Sequence, residues 1–148
     1  MTTKKSSSTD FDQIKEEHRS LMHAVERLRG LLQQPTPRPA AAATMLAELK
    51  DHLDVHFAHE EFGGYFSEVR EVAPRFAQQI EVLKLQHVEF LETIDAIGQR
   101  LDRPPASATW WTAIAADFDL FFDKFQRHES EENELLQDAL LRDVGTGD

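Results

Sequence analysis

Four of the chain's seven histidines, His18, His56, His87 and His128, each occupy a slot that an otherwise apolar helical stripe reserves for a core side chain. Two of them are followed four residues later, on the same stripe, by a glutamate: His56 by Glu60 and His128 by Glu132. Imidazole nitrogen and carboxylate oxygen form a ligand set that iron, zinc and manganese all accept. Positions i and i+4 are turned by about 40° around a helix and offset by one turn along it, so a histidine reaches one cation while the glutamate beyond it reaches between two. Four imidazoles and two carboxylates shared by two ions give two histidines to each ion plus bridging carboxylates. Positions remain for oxo, hydroxo, water or a small gas.

A single histidine on an apolar face is more often a hydrogen-bonded core residue than a ligand. Four of them with two glutamates at one depth reverse that expectation. Two buried carboxylates without partners cost several kcal/mol each, and no Lys or Arg lies in phase to offset them. Cations are the simplest compensation. His52 and His59 offer a competing three-histidine face with His56, but Leu46, Leu49 and Leu53 centre the second stripe between His56 and Glu60. His52 and His59 therefore read as boundary or supporting residues, and His23 as solvated.

These side chains need helices to carry them. Thr9 or Asp10 caps a first stripe of Phe11, Ile14, His18, Leu21, Val25, Leu28 and Leu32, which stops at Pro35, Pro37 and Pro39. A second begins in the alanines 40–43, carries Leu46, Leu49, Leu53, His56 and Glu60, and is weakened at Gly63-Gly64, with a resumption through Tyr65 to Val69. Pro74 suits the first turn of a third, with Phe76, Ile80, Leu83, His87, Phe90, Ile94, Ile97 and Leu101. Pro104 and Pro105 break it. Ser107 or Thr109 then caps a fourth, with Trp111, Ile114, Phe118, Phe121, Phe125, His128, Glu132, Leu135 and Ala139. Phe122 and Trp110 join these aromatics as core. Of the acidic run Glu129, Glu131, Glu132 and Glu134, only Glu132 is in phase, and the others read as a solvated face. The expected fold is all-α, an antiparallel up-down-up-down four-helix bundle over residues 10–142, with a disordered lead-in at 1–9 and a frayed tail at 143–148 containing Gly145 and Gly147.

In such a bundle, residues on consecutive helices share a level when they are equidistant from the turn between them, because each helix rises by about 1.5 Å per residue. The midpoint of His18 and His56 is position 37, inside the proline cluster. That between His56/Glu60 and His87 lies near 72 to 73, just before Pro74, and that between His87 and His128/Glu132 near 108 to 109, at the Ser107–Thr109 cap. All three fall in connections located from proline and capping signals alone. The six side chains therefore converge on one layer.

The 148 residues fit one domain, and 41% hydrophobic and 29% charged content is that of a soluble globular protein. Without cysteine there is no disulfide, thiolate site, iron–sulfur cluster or cysteine nucleophile. A formal net charge of −11 disfavours nucleic acid and anionic membranes as partners. The N-terminus lacks a signal-peptide apolar region and no run is of membrane-spanning length, so the expected location is cytoplasmic, as a monomer or weak homodimer.

A first-helix His, a second-helix His-x-x-x-Glu, a third-helix His and a fourth-helix His-x-x-x-Glu together resemble the hemerythrin-like family, including its bacterial branch named for His-His-Glu cation binding. The strings HLDVHFAHEEF, LQHVEFLETI and FDKFQRHESEENELL are similar to that family's helical motifs, and the resemblance spans roughly residues 11 to 140. It implies a non-heme di-iron centre, two iron ions with an oxo or hydroxo bridge, in which His18 and His56 serve one iron, His87 and His128 the other, and Glu60 and Glu132 bridge. Oxygen-carrying members have a further histidine four residues after the third-helix ligand, where this chain has Leu91. That departure points away from reversible O2 carriage and toward a ligand-poor site that reacts with O2 or peroxide, with Glu89 and Glu92 as candidates for the gap.

The function expected is binding of, or reaction with, a small oxidant or gas such as O2, H2O2 or NO, in sensing, detoxification or buffering. A ferroxidase-, catalase- or oxidase-like enzyme at the same site is the first alternative. A metal-free interaction module whose histidines switch with pH is the second.

Overall fold

The computed structural model describes residues 3–62, 64–105, 107 and 109–139, with side chains described from residue 12 onward. Gly63, the side chain of Phe11 and the tail with Gly145 and Gly147 lie outside the described residues. Four long helices carry the stripes: α1 (Thr3–Leu32), α2 (Pro39–Phe62), α4 (Ala77–Asp102) and α5 (Trp110–Leu136), with a short α3 (Tyr65–Val72) between α2 and α4.

The boundaries follow the local chemistry. Helix α1 ends ahead of Pro35, and it begins at Thr3, before the cap expected at Thr9 or Asp10, since no proline or glycine interrupts residues 3–10. Pro39 opens α2 at a position where its missing N–H is not needed. Gly64 stands at φ 112°, a left-handed conformation that suits glycine, and it separates α2 from α3. Pro74 starts a 3₁₀ turn, Pro74–Phe76, that leads directly into α4. Thr109 precedes α5, but its side chain makes no capping hydrogen bond; instead its amide donates to Ser107 Oγ at 3.3 Å. The Trp111 indole N–H donates to the Gln34 carbonyl at 2.8 Å, pinning the start of α5 to the α1–α2 connection.

Helix α1 packs on α2 and α5, and α4 packs on the same two, which closes the four into an antiparallel bundle. Its apolar interior is in two parts. The larger contains Leu21, Val25 and Leu28 of α1, Leu46, Leu49, Leu53 and Phe57 of α2, Phe90, Ile94 and Ile97 of α4, and Ile114, Phe118, Phe121 and Phe125 of α5. The smaller contains Ile14, Ile80, Leu83, Leu135, Leu136 and Ala139, covered by Phe66 and Val69 of α3. On three of the long helices the histidine falls between the two parts, His18 between Ile14 and Leu21, His87 between Leu83 and Phe90 and His128 between Phe125 and Leu135, while on α2, which contributes only to the larger part, His56 lies at the far end of the stripe. A polar layer thus divides the core. No helix among the described residues is long and apolar enough to cross a membrane.

Candidate metal centre

The polar layer consists of His18, His56, Glu60, His87, His128, Glu129 and Glu132, none more than 4% exposed. Among the described residues no Lys or Arg is buried with them. All six side chains singled out from sequence converge here. Candidate ligand atoms of His18, His56, Glu60 and Glu132 lie within 4.8 Å of one another, and so do those of His87, His128 and Glu132.

Each carboxylate faces both histidine pairs. Glu60 Oε2 is 3.2 Å from His18 Nε2 and 3.1 Å from His56 Nε2, while its Oε1 is 3.1 Å from His87 Nε2. Glu132 Oε1 is 2.6 Å from His18 Nε2, and its Oε2 is 3.6 Å from His128 Nε2 and 3.7 Å from His87 Nε2. One oxygen of each glutamate therefore serves each half of the site.

All four rings present Nε2 inward and are held from outside through Nδ1–H. His18 donates to Asn133 Oδ1 at 2.8 Å, His56 to Glu17 Oε1 at 2.7 Å, His87 to Glu61 Oε2 at 2.6 Å and His128 to Gln86 Oε1 at 2.6 Å. The links form a closed circuit. Glu17 of α1 holds the ring on α2, Glu61 of α2 the ring on α4, Gln86 of α4 the ring on α5, and Asn133 of α5 the ring on α1. A proton fixed on Nδ1 leaves Nε2 as the donor atom, the arrangement that orients ligating histidines in metal proteins.

The donor set fits a pair of cations on the evidence of its own unsatisfied atoms. His56 Nε2, His87 Nε2, His128 Nε2, Glu60 Oε1 and both oxygens of Glu132 are buried without a hydrogen-bond partner, although they crowd together. Buried polar groups left this way are rare and costly. Donors at about 2.1 Å from one cation and at right angles to each other are about 3 Å apart, which matches the three contacts of Glu60 with His18, His56 and His87. The aromatic neighbours are apolar: Phe57 stacks on His87 with centroids 3.8 Å apart, and Phe90 meets His128 edge-on at 5.1 Å.

The cluster is strongly coupled in charge. Burial by itself lowers His18, but contacts with Glu132 and Glu60 and the charge of Glu129 outweigh it and push the ring up to about 11. Burial is likewise overcome at His56 by Glu60, up to about 9, and at His87 by Glu132 and Glu60, up to about 10. Burial opposes ionisation of Glu132, yet contacts with Glu60, His128, His18 and His87 hold it well below the usual carboxylate range. Glu129 differs: burial dominates and pushes it up to about 8, with His18 opposing.

Glu129, expected on the solvated face, is instead 4% exposed, with Oε2 3.6 Å from His18 Nε2. The reason is the width of the buried arc of α5. Phe122, Phe125, Glu129, Glu132 and Leu136 make a second row at helical spacing, and both Phe122 and Leu136 are buried. Glu131 and Glu134 are exposed as expected. Leu91 is half-buried against the larger core part, and Glu89 and Glu92 are exposed, so neither stands in the gap. His23 and His52 are exposed, and the exposed His59 donates through Nδ1 to Glu17 Oε2 at 3.3 Å, supporting the residue that holds His56.

A family model described as the hemerythrin HHE cation binding domain matches residues 9–140. Comparison with curated proteins and with solved structures returned no match.

Proposed function

The chain belongs to the hemerythrin HHE cation-binding domain family, and from that premise we propose that it is a non-heme di-iron protein that binds or reacts with a small oxidant or gas, O2, H2O2 or NO. His18 and His56 would hold one iron, His87 and His128 the other, with Glu60 and Glu132 shared. Zinc or manganese would suit the same donors. A pair of redox-active ions supplies electrons to a small oxidant without an organic cofactor.

The observation that carries this reading is the division of each glutamate between the two histidine pairs, one oxygen to each. A single-ion site has no use for it. The residues of the chain do the rest: Glu17, Glu61, Gln86 and Asn133 fix the imidazole orientations, and Phe57, Phe66, Phe90 and Phe125 exclude water from the His87/His128 side. With Leu91 where oxygen carriers place a histidine, reaction or sensing is favoured over reversible transport.

The test is elemental analysis with a visible spectrum of protein purified aerobically. Two irons per chain and near-ultraviolet absorption from a bridged ferric pair are expected; fewer than one ion of any metal per chain would overturn the reading. Catalytic consumption of peroxide or ferrous iron by the purified protein would assign it to the enzyme class, and stoichiometric uptake alone to binding or sensing.

A further inference from the structure

Six of the seven buried polar side chains have a task in the site as described, and Glu129 has none. It is 4% exposed, and neither of its carboxylate oxygens has a hydrogen-bond partner. A carboxylate sealed from water without a donor is costly unless a cation or proton stands beside it. Its Oε2 lies 3.6 Å from His18 Nε2, which is one of the clustered His18, His56, Glu60 and Glu132 donors. Glu129 also lines a recess of about 360 Å³ between α1 and α5, together with Lys15, His18, Arg19, Gln126 and Asn133 among others.

Among the described residues the other half of the site has no counterpart. Around His87 and His128 stand Phe57, Phe66, Phe90 and Phe125, and among the described residues only the shared Glu60 and Glu132 bring carboxylate oxygens to their Nε2 atoms. One turn beyond His87 lies Leu91, which offers no donor atom.

We propose that Glu129 is a terminal carboxylate ligand of the ion held by His18 and His56, so that the two ions are inequivalent and the position open to a small anion or gas falls on the His87/His128 ion. The assignment rests on the di-iron reading above. It gives the first ion two imidazoles and three carboxylates and the second two imidazoles and two carboxylates. The richer set leaves less room for an incoming ligand, and the poorer one faces the apolar side.

The experiment loads the full chain with ⁵⁷Fe and compares wild type, Glu129→Gln and the exposed control Glu131→Gln by Mössbauer spectroscopy, by iron release to a chelator and by azide titration of the diferric form. Wild type and Glu131→Gln are expected to show two distinct quadrupole doublets of equal area and to saturate at one azide per chain. In Glu129→Gln one doublet moves while the other stays, and one of the two irons leaves about 10- to 100-fold faster. Doublets and release rates unchanged in Glu129→Gln, with two irons bound in both proteins, would overturn this assignment alone. Saturation at two azides in wild type would overturn the placement of the open position. A wild-type chain that does not take up two irons would overturn the di-iron reading and this inference with it. If Glu129→Gln fails to give the helical circular dichroism of the wild type, Glu129→Asp, which keeps the charge but withdraws it by one methylene, must move the same doublet.

Discussion

Glu17 of α1 and His56 of α2 meet at 2.7 Å, and the same glutamate receives the exposed His59 at 3.3 Å through its other oxygen. This is one link of the circuit in which each helix orients the histidine of a neighbour. Glu17→Ala leaves His56 Nδ1–H without its acceptor, so metal affinity is expected to fall about 10- to 100-fold. Chelator competition measures it, and His59→Ala should cost far less because that residue acts only through Glu17.

Removing a shared carboxylate should affect both ions together. Glu60→Ala and Glu132→Ala each delete an oxygen donor from both histidine pairs, and metal content is expected to drop from two ions per chain to below one. His56→Ala removes a donor from one half only, and elemental analysis should find the His87/His128 ion better retained. Equal loss of both ions in His56→Ala would contradict the division described here.

The metal-free protein should respond to pH in a defined direction. His18, His56 and His87 are raised above their ordinary 6.5, to about 11, 9 and 10, by the carboxylates that face them. A basic group raised on folding contributes stability that is complete below 6.5 and is lost as pH rises through the folded values. The melting temperature of the metal-free bundle is therefore expected to fall between pH 6.5 and about 11. Cations compete with the same protons, so metal loading should release acid, and apparent metal affinity should weaken as pH drops. Calorimetry in buffers of different ionisation enthalpy reads the proton count.

Packing away from the polar layer should matter to stability and not to metal stoichiometry. Phe118 is 0% exposed in the larger core part, and Phe118→Ala is expected to cost about 3–5 kcal/mol in denaturant unfolding while iron per chain stays unchanged.

The six central residues were legible because each replaces an apolar residue in a regular stripe, and the midpoint rule brings them to one depth from spacing alone. That rule works because the connections are short and proline-marked. Glu129 was not legible, since the single stripe drawn on α5 excludes it; Phe122 was already expected in the core, but the second row that includes Glu129 shows only once Leu136 is also seen to be buried. The outer partners Glu17, Glu61, Gln86 and Asn133 were missed for a different reason. Each adjoins a central residue in sequence yet serves a histidine on another helix, and such pairings depend on how each helix is rotated, which periodicity along one chain does not give. Helix α3 looks in sequence like a resumption of the second helix, and the left-handed Gly64 makes it a separate element.

The separation of the apolar interior into a large and a small part has a consequence for how the molecule comes apart. Oily contact alone does not weld the short end, with its Phe66 and Val69 cover, to the long one, because a belt of mutually dependent charges lies between them. Stripped of its ions, the molecule should loosen first at the short end while the Phe118 end stays knit, and hydrogen exchange would see two melting units. Loaded, it should melt as one, the ions acting as a rivet through the girdle.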